Sequence, residues 1–74
     1  MEHKILKILN TVLENRGKKN VIEFHPNLDL RKDLEFDSLD LAELTVRLES
    51  EFDIDIFENG NTNTLKEVIE KLTA

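Results

Sequence analysis

The sequence predicts an all-α fold: a small bundle of three main helices, a short third helix or turn before the last of them, and a long loop between helices 1 and 2. Three observations carry this. Apolar residues recur at helical spacing in three separate segments. Only two Gly and one Pro occur in 74 residues, too few for a turn-rich β fold. Twelve Leu and six Ile, with no Cys, leave packing alone to hold the chain together. That suits compact helix packing, because a chain of this size buries only about 60% of its unfolded surface.

The first helix is read over 2–16. Ile5, Ile8, Leu9 and Val12 follow the i, i+3, i+4, i+7 pattern, and Leu6 and Leu13 widen the stripe. Lys4, Lys7, Thr11 and Glu14 fall largely outside it, and Arg16-Gly17 reads as a helix stop. The loop 17–37 is long for a compact domain. Its apolar residues Val21, Ile22, Phe24, Leu28, Leu30, Leu34 and Phe36 are expected to pin it across the helices, with a turn near Leu28–Lys32.

The second helix is read over 38–52, with Asp37 as N-cap and Asp40 at N3. At about 100° per residue, Leu41, Leu44, Leu48 and Phe52 share one arc, the expected core face. Leu39, Ala42 and Val46 fall nearly opposite, with Glu43, Glu49 and Ser50 around them. That second stripe is either a docking surface rimmed by acid or the sign of a central helix buried on both sides. The segment 53–63 is short and polar, leaves room for one helical turn at most, and carries a turn signal at Asn59-Gly60. The last helix is read over 64–73. Thr64 and Glu67 form a capping box, and Leu65, Val68, Ile69 and Leu72 make the buried face.

The whole length, 1–74, fits one domain. The net charge of −6 and the lack of a basic tract argue against nucleic acid as a partner. No apolar run approaches a membrane span, and the charged N-terminal stretch lacks the apolar block of a signal peptide. The absence of cysteine permits a cytoplasmic setting. Charge is unevenly spread: residues 1–20 hold two acids and five bases, whereas residues 37–58 hold eight acids and one base, Arg47. The acidic field of the second helix would steer a basic partner toward it, unless it serves only solubility.

Asp37-Ser38-Leu39 opens that acidic helix. The stretch from Leu34 through Leu44, continuing as Leu48-Glu49-Ser50-Glu51-Phe52-Asp53-Ile54-Asp55-Ile56, resembles the acyl carrier protein family, the phosphopantetheine-binding carriers. The likeness extends over nearly the whole chain, including the helix lengths and the long first loop. It implies that Ser38 receives 4′-phosphopantetheine from coenzyme A through a phosphopantetheinyl transferase, that Asp37 helps hold the transferase's metal, and that Leu39 completes the attachment motif. It implies a carrier, not an enzyme: a monomer holding acyl groups as thioesters and serving separate loading and transfer enzymes. Asp40, Ala42, Glu43, Val46, Arg47, Glu49 and Ile56 fall at positions the family uses for partner docking. A phosphodiester on Ser38 would lie at a helix N-terminus, which favours an anion through its free N–H groups and dipole. Without the resemblance, Ser38 is an ordinary helix-start residue.

This sequence also departs from the family. Glu35 and Phe36 stand where a small residue, usually Gly, and then Ala or Leu are usual, and Phe36 is expected to add bulk beside Ser38. Arg47, Ser50 and the shortened stretch before Thr64 are further departures, and they favour a specialised pathway over housekeeping fatty-acid synthesis. Within the family an aminoacyl cargo, peptidyl or D-alanyl in type, is the alternative; outside it, a non-carrier helical interaction module. Calcium binding by Asp53, Asp55 and Glu58 is disfavoured, since the loop lacks the EF-hand pattern and its glycine. His3 and His25, the two histidines, have no spacing that suggests catalysis.

Overall fold

The computed structural model describes residues 1–57 and 62–73. Three helices follow in order: α1 (Glu2–Asn15), α2 (Ser38–Phe52) and α3 (Leu65–Thr73). Among the described residues the fold is all-α. Among these residues the one extended pairing is an isolated bridge between Asp29 and Thr64. No further helix forms between α2 and Phe57; that stretch is a bend and a turn, and the predicted Asn59-Gly60 turn lies outside the described residues.

Each helix turns its predicted stripe to the core, with Ile8 of α1 and Ile69 of α3 only partly buried at its edge. Ile5, Leu9, Val12 and Leu13 of α1 meet Leu41, Leu44 and Leu48 of α2, with Leu65, Val68 and Leu72 of α3 in the same core. Phe52 packs at its edge, partly buried. The helix ends explain where α1 and α2 stop. Gly17, at φ 70°, closes α1: its N–H donates to Glu14 O, and the Lys18 N–H donates to Leu13 O at 2.8 Å. The end of α2 uses Asp53 in the left-handed region, at φ 59°.

The long loop between α1 and α2 is tied down at three points. Asn10 brackets Val21, donating from Nδ2 to its carbonyl at 2.9 Å and accepting its N–H at 2.7 Å. Val21 packs against the core, partly buried, while the side chain after it does not. Ile22 is 91% exposed and does not anchor the loop as expected. The turn after Leu28 is organised by the Asp29 carboxylate, which accepts the N–H groups of Arg31 and Lys32. The loop also pairs with the entry to α3: Leu30 N–H donates to Asn63 O at 2.7 Å and Leu65 N–H to Leu28 O at 3.1 Å. Leu30 and Phe36 complete the core from this loop. Phe36 therefore packs inward and adds no bulk beside Ser38. These ties fix the chain on the approach to α2 and so set where Ser38 stands.

Candidate functional site

Ser38 is the first residue of α2 and is exposed. Its position is fixed by the cap before it. Asp37 is the N-cap, and its Oδ1 accepts the N–H groups of Leu39 and Asp40, each at 3.0 Å. Asp40 answers with Oδ2, which accepts the Asp37 N–H at 3.1 Å, completing a capping box. Two of the N–H groups that would otherwise face an anion at this helix start are thus already engaged. An anion on Ser38 cannot count on them, contrary to the expectation from sequence.

Cations just past the end of α1 close over this cap. Arg16 Nε lies 2.8 Å from Asp40 Oδ1, and its Nη2 lies 3.3 Å from Asp37 Oδ2. Lys18 Nζ lies 3.7 Å from Asp40 Oδ2 and donates to the carbonyls of Leu34 and Glu35 at 3.3 and 3.0 Å. It also stands 5.6 Å from the Phe36 ring centroid. The Asp40 backbone N–H, and after it the Arg16 charge, hold the Asp37 carboxyl below the usual carboxylate range.

Ser38 opens into a groove of about 450 Å³ shared with Leu41, Ala42, Thr45, Val46, Arg31, Asp55 and Phe57. The outer wall continues into the second stripe of α2. Leu39 is 69% and Val46 64% exposed, and Ala42 is exposed between them. Of the two readings of that stripe, an outward apolar strip is the one observed. Glu49 is exposed, near the same side on the helical wheel.

Two predicted docking residues do not belong to this surface. Asp40 is 1% exposed and Ile56 is 0% exposed. Asp40 stands four residues before Leu44, about 40° from it on the wheel, so its side chain enters the interface between α1 and α2. Ile56 fills the core end of the segment after α2, where its carbonyl accepts the buried Thr62 hydroxyl at 2.6 Å. Glu43 and Arg47 lie to one side of the strip, toward α1. Glu43 Oε2 accepts from Asn15 Nδ2 at 3.0 Å and from Arg47 Nε at 2.9 Å. Those contacts, the Asn15 amide first and Arg47 second, lower the Glu43 carboxyl below its usual range.

A family model described as a phosphopantetheine attachment site matches residues 3–72. The chain belongs to this phosphopantetheine-binding family. No curated protein and no solved structure matches it. As a phosphopantetheine carrier it bears a 4′-phosphopantetheine arm, and such domains carry their cargo rather than transform it. The residues present fit that group. An arm needs an exposed hydroxyl with open space beside it, and Ser38 at the mouth of its groove supplies both. Among the described residues, no helix is long and apolar enough to cross a membrane, and no group of three His, Cys, Asp or Glu side chains could hold a metal ion. The calcium alternative drew on Glu58, which lies outside the described residues.

Sequence reasoning missed Arg16, Lys18 and Arg31. The first two follow α1 and meet the cap only through tertiary packing. Arg31 had a signal: Arg31-Lys32 is the one basic pair between Asn20 and Arg47.

Proposed function

We propose that this carrier holds acyl intermediates as thioesters on a 4′-phosphopantetheine arm joined to Ser38. It delivers them to separate enzymes of a fatty-acid-like, polyketide or other specialised biosynthesis in the cytoplasm. The observation that carries this is an exposed serine at the first position of α2, opening into a groove beside an exposed apolar strip, in a chain of the phosphopantetheine-binding family. The arm, when bound, supplies the terminal thiol that forms the thioester.

The chain's own residues do the rest. Ser38 Oγ takes the phosphopantetheinyl group of coenzyme A: a new P–O bond forms, adenosine 3′,5′-bisphosphate leaves, and the hydroxyl proton passes to the transferase. Asp37 fixes the first turn of α2, and its Oδ2, 3.3 Å from Arg16 Nη2, would meet the transferase's metal once Arg16 gives way. Leu39, Ala42 and Val46, with Glu49 near them, form the docking strip; the carrier works as a monomer and catalyses nothing itself.

The test is intact mass after incubation with coenzyme A, Mg²⁺ and a broad-specificity phosphopantetheinyl transferase, beside Ser38→Ala. The expected result is a gain of one phosphopantetheine that the variant lacks. No gain on folded protein, with a transferase proven on another carrier, would point to a helical interaction module instead. Loading the modified protein with acyl-activating and with amino-acid-activating enzymes then separates an acyl from an aminoacyl cargo.

A further inference from the structure

The start of α2 is crowded with acid, so an added phosphodiester needs a counter-ion. The usual source, the free N–H groups of the first turn, is reduced because Asp37 accepts those of Leu39 and Asp40. Arg16 is held by two carboxylates, those of Asp37 and Asp40. Lys18 is held by Asp40 and by the carbonyls of Leu34 and Glu35. Neither can serve the phosphate without uncovering the buried Asp40 or the cap.

Arg31 differs from both. It lines the same groove as Ser38, from the loop before α2. Its backbone is fixed by the Asp29 carboxylate, which accepts its N–H at 2.9 Å. Among the described residues, its guanidinium donates from Nη1 to two neutral oxygens, Asn63 Oδ1 and the Thr62 carbonyl. Among the described residues no ion pair to a carboxylate holds it, although its charge helps to lower the Asp29 carboxyl, and its remaining N–H groups suit a phosphate's bidentate geometry. The other charged residue in the groove, Asp55, accepts the Phe57 N–H with its Oδ1 at 2.8 Å.

We infer that Arg31 is the counter-ion of the phosphodiester on Ser38, and that it draws the arm into the groove along Ala42, Thr45 and Phe57. Arg31 is a positioning residue, since the transferred group is the distant thiol. Because the same guanidinium holds Asn63, attachment of the arm would also be felt at the entry to α3.

This rests on Ser38 being the attachment point, and the experiment separates the two claims. Apo and modified protein are compared by NMR, following the Arg31 Nε–H resonance, the Asn63 side-chain amide and the phosphorus line of the diester, with mass confirming modification. Attachment should shift Arg31 Nε–H, and added salt should reverse the shift. In Arg31→Gln the phosphorus line should move toward that of free phosphopantetheine, and Arg31→Lys should restore part of the difference. A structural role alone would leave the phosphorus line unmoved. Mass gain with an unshifted Arg31 and one phosphorus line for all three proteins overturns the pairing and leaves the carrier reading intact. No mass gain at Ser38 overturns both.

Discussion

Asp40 is the one charged side chain buried among the described residues, and three contacts make that tolerable: the Asp37 N–H, Arg16 and Lys18. A buried carboxylate with its partners removed, or the reverse, is costly. Asp40→Ala also breaks half of the capping box. Arg16 and Lys18 remain partly exposed and can find water, which tempers the loss. We expect Asp40→Ala to lower unfolding free energy by about 2–3 kcal/mol in urea, and Asp40→Asn, which keeps an acceptor for the Asp37 N–H, by less. An unchanged midpoint in Asp40→Ala would mean that the cluster is not holding α1 to α2. Glu35 invites the opposite change. It sits at φ 56°, where a side chain costs about 1–2 kcal/mol and glycine costs nothing sterically. Part of that returns as glycine's greater freedom when unfolded, about 0.5–1 kcal/mol. Glu35→Gly should therefore raise stability by about 0.5–1 kcal/mol, and its carbonyl would still accept from Lys18. The departure at Glu35 was legible in the sequence as a residue standing where glycine is usual; its strain was not, because φ is set by the fold.

At the scale of elements, the helices and their inner faces follow from apolar spacing alone, because a stripe of Leu and Ile at helical period has one way to leave water. The connections were less legible. The loop meets α3 through Leu28, Leu30, Asn63 and Leu65, residues more than thirty positions apart that no local pattern joins. The contact of α1 with α2 has a chemical consequence that can be measured. Asp37 and Glu43 both lie on that seam, and both carboxyls are lowered, by the Asp40 N–H first in one case and the Asn15 amide first in the other. A carboxyl lowered on folding adds stability that is complete above its unfolded value, about 4, and drains away as pH falls through the lower folded one. Unfolding midpoints should thus be flat from neutral pH down to about pH 5 and fall below it. Asn15→Ala, which removes the main cause of the Glu43 shift, should make the acid fall shallower. An acid limb of the same steepness in that variant would remove Glu43 from the account.

At the scale of the whole molecule, a net charge of −6 is unevenly distributed, with most of the acid in and after α2. Three bases of the N-terminal part are engaged within the chain: Arg16 and Lys18, just past α1, cover the cap, and Lys4 of α1 pairs with Glu51 at 3.3 Å. Among the described residues, the strip of Leu39, Ala42 and Val46, beside Ser38, is exposed and keeps the exposed Glu49 near it. The sequence showed this strip by spacing but could not show whether a neighbour covered it, since that depends on where the loop and α3 settle. Steering by such a face acts on encounter rate and weakens with salt, while rim charges add little to folding stability. Glu49→Lys should therefore leave the unfolding free energy within about 0.5 kcal/mol of wild type. It should slow association with a phosphopantetheinyl transferase at low salt and flatten the dependence of that rate on ionic strength. Val46→Ala provides the complement, trimming apolar contact without touching charge, so it should speed dissociation and leave the salt slope as it was. If both variants associate and dissociate like wild type at every salt concentration, partners approach Ser38 from another side and the strip is not their surface.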